Sequence, residues 1–268
     1  MATHARSRRS PATLTARVFG RAGRLPAKPR RRLAVIAAVV VSGPGLALWA
    51  ALPAQASIPA HPVWESSAPF GTWDTGKFDL YNNEWNTAEA GPQTIWGDSF
   101  HHWGVESTQA DTTSVKTYPS VQENYNHPPI SKLQTLFSNF AEKMPSVSNF
   151  DAEAAYDLWL NNNDIEIMVW VDNHGQRPSG NVIAHAKFYG QRFAVWEGNS
   201  HMFSFALSGK QEKKGTIHLL KMMDWLESHG YLSSSATLTQ VNFGWEICST
   251  DGKPMDFTVT RYSLTTKL

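Results

Sequence analysis

The chain has 268 residues, 24 Lys/Arg, 23 Asp/Glu and a formal charge of +1. Ten of the basic residues lie in the first 56 positions, which hold no acid, so the other 212 residues carry 14 basic and 23 acidic side chains, a balance of −9. So acidic a body excludes a nucleic-acid binder, a composition 41% hydrophobic and 12% aromatic excludes a solvated coil, and one cysteine excludes an internal disulfide framework or a thiolate zinc cluster.

The first element in chain order is a leader. A basic stretch ends at Arg30-Arg31-Arg32, and an apolar run over 33–52 follows, broken by Gly43-Pro44-Gly45. It closes on Ala54-Gln55-Ala56, the small-x-small pattern cut by signal peptidase. The helix breakers and this pattern favour removal over a retained anchor. The paired arginines match part of a twin-arginine signal. The chain therefore divides into an export segment, 1–56, and one domain, 57–268, whose mature form begins at Ser57. The expected product is secreted and monomeric, with no membrane attachment after cleavage and no metal or cofactor. Its histidines, including His101-His102, show no ligand spacing.

Strand patterns dominate the domain. Over residues 165–171, strict alternation puts Ile165, Ile167, Val169 and Val171 on one face and Glu166, Met168 and Trp170 on the other. Residues 182–189 and 192–197 read as a hairpin about Tyr189-Gly190-Gln191, and 201–207 continues the pattern. The segments 239–248 and 256–264 supply the last strands. One segment has helical spacing: Leu219, Met222, Met223 and Leu226 form a stripe, with Thr216 as the expected cap and Gly230 as the stop. Many short strands and one short helix imply an all-β sandwich of two sheets.

Two strong strands each carry a carboxylate at mid-length. Glu166 stands between isoleucines, and Glu246 stands in Phe243-Gly244-Trp245-Glu246-Ile247. Acidic residues are disfavoured in strands and are rarely buried unpaired. A wet sheet face would explain either one alone, but it does not explain Met168 and Trp170 beside Glu166. A sheet face lined by Trp, Met and two Glu suits an uncharged sugar chain, because sugar rings stack on indoles and paired carboxylates cleave glycosidic bonds.

These residues, with others in order along the domain, resemble the endoglucanases of glycoside hydrolase family 12. Pro69-Phe70-Gly71 and Tyr81-Asn82-Asn83-Glu84-Trp85 are similar to the family's opening strands, and Val115-Lys116-Thr117-Tyr118-Pro119-Ser120 to its Lys-Ser-Tyr-Pro segment. Ala155-Tyr156-Asp157-Leu158-Trp159 resembles the strand with an accessory aspartate. Glu166-Ile167-Met168-Val169-Trp170 resembles the nucleophile strand, Pro178-Ser179-Gly180 the loop after it, and Phe243-Gly244-Trp245-Glu246 the acid/base strand. The resemblance implies a jelly-roll sandwich of two antiparallel sheets with a concave substrate cleft. It further implies hydrolysis of β-1,4-glucan of the cellulose type with retention of configuration.

In that reading Glu166 is the nucleophile and Glu246 the general acid/base. Asp157 either orients Glu166 or is an ordinary strand aspartate. Trp85 is the expected sugar-stacking indole, with a core indole as the alternative. Asn82 either offers its amide to sugar hydroxyls or closes a turn. Met168 and Trp170 line the cleft floor or pack on each other. The chain departs from the family pattern in lacking disulfides, in Glu84 and Asn86 beside Trp85, and in Ile247-Cys248 where Pro and an aromatic usually follow the acid/base. Those departures leave xyloglucan or mixed-linkage glucan open as the preferred substrate. A non-catalytic glycan-binding sandwich is the alternative class, because a sandwich alone carries no activity.

Overall fold

The computed structural model describes residues 58–199 and 201–268. The expected leader, its cleavage site and Ser57 lie outside the described residues. Fifteen strands follow one another among them: β1 (Trp64–Ser66), β2 (Thr72–Asp74), β3 (Asp79–Tyr81), β4 (Gln93–Ser99) and β5 (His102–Ser107), then β6 (Ser120–Asn124), β7 (Thr135–Lys143), β8 (Asp151–Leu160) and β9 (Ile165–His174). After these come β10 (Asn181–Phe188), β11 (Gln191–Glu197), β12 (Met202–Leu207), β13 (Lys214–Ile217), the helix α1 (Leu219–Ser228), β14 (Leu238–Ser249) and β15 (Met255–Lys267).

The strands form two sheets, as the alternating pattern predicts. One has six strands in the order β1-β4-β5-β15-β7-β13, the other nine in the order β10-β11-β12-β9-β8-β14-β6-β3-β2. Every pairing is antiparallel except one: β12 runs parallel to β9, because the β10–β11 hairpin is inserted outside it before the chain returns. That hairpin turns at Tyr189 (φ 47°) and Gly190 (φ 94°), two consecutive left-handed residues as a tight hairpin of matching twist requires.

Period-two alternation supplies the core between the sheets. From the nine-stranded sheet come Ile167, Val169 and Val171 of β9, Tyr156 and Leu158 of β8, and Val241, Phe243 and Trp245 of β14, all fully buried. Phe243 packs 4.5 Å from Tyr156 and stacks 5.7 Å from Tyr262 of the opposing sheet, while Trp245 lies 5.1 Å from Trp103 (ring centroids). Burying each such side chain stabilises the fold by roughly 1.5–3 kcal/mol. The stripe Leu219, Met222, Met223 and Leu226 of α1 is buried as predicted, and Gly230 (φ 79°) follows its end. Thr216 is not its cap. It belongs to β13, where its hydroxyl donates to Asn139 Oδ1 (2.7 Å), and His218 precedes the helix with no side-chain capping bond. The strand ladder claimed that threonine before the helix began.

One polar group is sealed inside this core. Trp245 Nε1 donates to Glu142 Oε2 of β7 (3.2 Å), and Glu142 is 3% exposed. Burial, and then the Asp172 carboxyl facing it, raises the Glu142 pKa from 4.5 to about 8. A carboxyl kept neutral by the fold stabilises it fully below pH 4.5, and that contribution is lost as the pH rises through about 8. Glu142→Gln stays neutral and keeps the acceptor for Trp245. Melting temperatures measured from acid to mildly alkaline pH should therefore fall less steeply in this variant than in the parent; parallel curves would show that Glu142 is ionised throughout.

Candidate active site

The outer face of the nine-stranded sheet collects what the sequence separates. Alternation places Glu153, Ala155, Asp157 and Trp159 of β8, Glu166, Met168 and Trp170 of β9, and Asn242, Gly244 and Glu246 of β14 on the side away from the core. The register puts Asp157 between Met168 and Asn242, and Glu153 directly opposite Glu246. Between Trp170 and Asp172 the pairing slips by one residue against β8, leaving Val171 as the extra residue of a bulge. A bulge bends its strand and adds twist, here beside the carboxylates. The face is a recess: Glu153, Asp157, Met168 and Trp170 are 1–4% exposed on it although it is the side of the sheet away from the core.

Gly244 lets β14 and β6 close up at the centre of this face. It lies opposite Ser120, and a Cβ there would collide with the carbonyl oxygen of Pro119. The spacing of Phe243-Gly244-x-Glu246 thus has a steric cause: the glycine admits the neighbouring backbone, and two residues later the same face presents the carboxylate.

Four carboxyls dominate the electrostatics. Burial is the largest influence on each of Glu153, Asp157, Glu166 and Glu246, and it raises all four. The Glu246 charge pushes Glu166 further up, the charges of Glu166 and Glu246 do the same to Asp157, and Glu246 then Asp157 act on Glu153. The Tyr118 hydroxyl, which donates to the Ala155 carbonyl (3.1 Å), lies close enough to Asp157 to act on it in the opposite direction. Among the described residues no cation offsets this repulsion, so the group titrates as a unit and holds protons at pH values where isolated carboxyls have lost them. Such a set can present one ionised and one protonated carboxyl at the same time, as acid and nucleophile chemistry requires.

The structure brings Glu166, Asp157 and Glu246 together on this face. Met168 and Trp170 pack with Ala155, Met202 and Ala206 into a small apolar cluster on the same face. The Trp170 Nε1 is buried there with no hydrogen-bond partner. Trp85 is half-buried on the loop after β3. That loop lies along residues 115–118, held by Asn86 N to Lys116 O (3.1 Å), Thr117 Oγ1 to Asn83 O (3.1 Å) and Tyr118 N to Asn83 O (3.0 Å). Asn82 is fully buried. Its amide donates to Ala68 O (3.0 Å) and Glu84 Oε1 (2.8 Å) and accepts from Gln93 Nε2 (3.0 Å), so it braces the Trp85 loop from within. Cys248 is also fully buried beyond Glu246, and burial followed by the Glu153 and Glu246 charges pushes its thiol well up, away from a reactive thiolate.

Glu153 was not singled out from the sequence. A signal was present: Glu153 and Asp157 are four residues apart on one strand and so share a face. The motif that drew attention to this strand begins at Ala155 and stops short of it.

Known proteins place this arrangement. The chain is 30% identical over 216 residues, 72% of its length and 88% of the relative's, to a probable xyloglucan-specific endo-β-1,4-glucanase A of Aspergillus flavus. It is 26% identical over 207 residues (70% of this chain, 86% of the other) to an inactive glycoside hydrolase of Phytophthora nicotianae. Among solved structures it superposes on the xyloglucanase domain of NopAA from Sinorhizobium fredii, in complex with cellobiose, with a TM-score of 0.71 at 27% identity over 77% of this chain and all of that one. The profile of Glycosyl hydrolase family 12 matches residues 76–267, nearly the whole two-sheet domain, and the chain belongs to that family.

Proposed function

We propose that the protein is a secreted, endo-acting hydrolase that cleaves β-1,4-glucan with retention of configuration, with Glu166 as nucleophile and Glu246 as general acid/base. The observation that carries this reading is the placement of both glutamates on one recessed sheet face, on the two strands that flank β8, each of which resembles the family's strand for that role. In the first half-reaction an ionised Glu166 oxygen bonds to the anomeric carbon while the bond from that carbon to the leaving oxygen breaks. Protonated Glu246 gives its proton to the departing oxygen. In the second half, water loses a proton to Glu246 and attacks the same carbon, releasing Glu166. Asp157 stands beside Glu166 and shares its proton load, which keeps two adjacent anions from forming.

The substrate class follows from the same face. Four buried carboxyls without a cation repel a uronic-acid polymer and suit a neutral glucan. Half-buried Trp85 supplies an apolar surface on which a sugar ring can stack, while Met168 and Trp170 are packed into the floor beside the carboxyls. Two relatives carry xyloglucanase in their names, one of them bound to cellobiose, which supports a glucan backbone with or without side branches. The leader 1–56 is removed during export, and the mature domain acts as a monomer without metal or cofactor. The inactive relative shows that the fold does not by itself guarantee turnover; retention of both glutamates favours the enzyme here.

Release of reducing ends from soluble β-glucan and xyloglucan, with the first product observed as the β-anomer by NMR, tests the reading; binding without release would leave a lectin. The two glutamates should fail differently. Glu246→Ala should retain turnover on an activated aryl cellobioside, which needs little protonation, and azide should rescue it to a β-glycosyl azide. Glu166→Ala should collapse on every substrate, and a β-glycosyl azide from that variant would reverse the two roles.

Trp85→Ala should weaken glucan binding by about 1 kcal/mol or more, the worth of ring stacking beyond its buried area. Its melting temperature should stay near the parent's. A large drop would make Trp85 a core indole instead.

A further inference from the structure

Beyond the two glutamates lies a third carboxyl that the proposed chemistry leaves unused. Glu153 of β8 is directly opposite Glu246 of β14 in the ladder, where facing side chains have Cβ atoms about 4.5–5.5 Å apart. It is 1% exposed, and among the described residues no N–H or hydroxyl group of another residue donates to its oxygens; its own backbone N–H is the smallest of the influences on it. A carboxylate in that state is costly to desolvate, and ionised carboxylates cannot donate to one another. The group it does meet is the Glu246 carboxyl. A proton between the two acids turns a repulsive contact into a hydrogen bond.

We infer that Glu153 is a positioning residue that keeps its proton and donates it in a hydrogen bond to Glu246, and so sets the pH at which Glu246 loses its own. This rests on Glu246 being the acid/base. The more exposed Glu246 is the one a substrate can reach, and Glu153 stands behind it. When Glu246 gives its proton to the leaving oxygen, the Glu153 O–H stabilises the carboxylate left behind. When water returns a proton to Glu246, Glu153 has neither gained nor lost one. The directions of the shifts agree: the contact raises Glu153 and lowers Glu246, as it does when the proton stays on Glu153.

Other charged and titratable groups face the pair. Asp157 comes from the same strand as Glu153, Glu166 from β9, Tyr118 from the segment before β6, and Cys248 from the strand of Glu246. Lys116 lies on the far side of Cys248, where its ammonium donates to Thr112 Oγ1 (2.6 Å) and to the Cys248 carbonyl. All of these act on the pair as a background that a change at Glu153 leaves in place.

The sign of one measurement separates a neutral Glu153 from an ionised one. The alkaline limb of kcat/KM on soluble β-glucan reports loss of the Glu246 proton. Removing a neutral donor raises that limb, whereas removing a neighbouring anion lowers it. Glu153→Leu, which cannot donate, should move the limb up by about one unit, a tenfold change in the protonation equilibrium. Glu153→Gln, which donates through its amide, should leave it in place or move it slightly up. Infrared difference spectra between the wild type and Glu153→Gln near pH 7 should show one protonated-carboxyl C=O band missing from the variant. A downward move of the limb in either variant, or no such band, overturns the inference. If the leucine variant does not fold, the glutamine variant decides alone through its limb and its band. If the wild type cleaves no glucan, the proposed reaction fails, and the infrared band still shows whether Glu153 holds a proton.

Discussion

Four carboxyls gathered in one recess, with no cation among the described residues to offset them, are the constraint around which this molecule is arranged. Each of Glu153, Asp157, Glu166 and Glu246 is disfavoured as an anion by burial, and their mutual repulsion adds to that. No surface helix or flexible loop would hold such a set together, because its members would turn out to water. Three long neighbouring strands hold it. β8, β9 and β14 are among the longest of the nine-stranded sheet, and their other faces are locked into the core by Tyr156, Val169, Phe243 and Trp245. The hydrophobic interior pays for the strained polar face.

This division of labour explains why one strand carries two chemistries. On β14, Phe243 points inward and stacks on Tyr262, Trp245 points inward and meets Trp103 at a tilt, and Gly244 and Glu246 point outward. The inward residues fix the position of the backbone, and the outward ones use it. Trp245 is further tied through its indole N–H to Glu142 inside the core, so the residue next to Glu246 is held by packing and by a hydrogen bond. In the proposed reaction Glu246 would gain from this support, because small misplacements of a reacting group are expensive in rate. The Trp85 loop is supported in the same way, from beneath, by the buried amide of Asn82 and the side chain of Gln93.

Much of this was legible in the chain. Alternation at 165–171 and at Phe243–Ile247 announced strands with one apolar and one functional face, and the carboxylates were conspicuous because strands seldom carry them at mid-length. The helix stripe was equally plain. Thr216 misled because cap propensity is local, while its claim on a β-ladder with Asn139 is not. Asn82 was ambiguous because an amide beside a tryptophan reads the same whether it faces a ligand or a neighbour 14 residues away. The parallel pairing of β9 with β12 had no local signal at all, since neighbouring strands do not announce their direction.

The sequence by itself determined which residues are inside and which are outside along each strand, because side-chain direction follows from a period of two and burial from polarity. It determined the acidic, disulfide-free character of the domain for the same reason: these are properties of composition. Tertiary structure alone decided which strands are neighbours, and with that the partners of each carboxyl. Glu153 shows the difference. In the chain it is a glutamate between two alanines, and its spacing from Asp157 gives it a face but no partner. Only the register of β8 against β14 sets it opposite Glu246, and only its place among packed neighbours removes its water. Register and curvature arise from contacts between segments about ninety residues apart, and no local pattern encodes them.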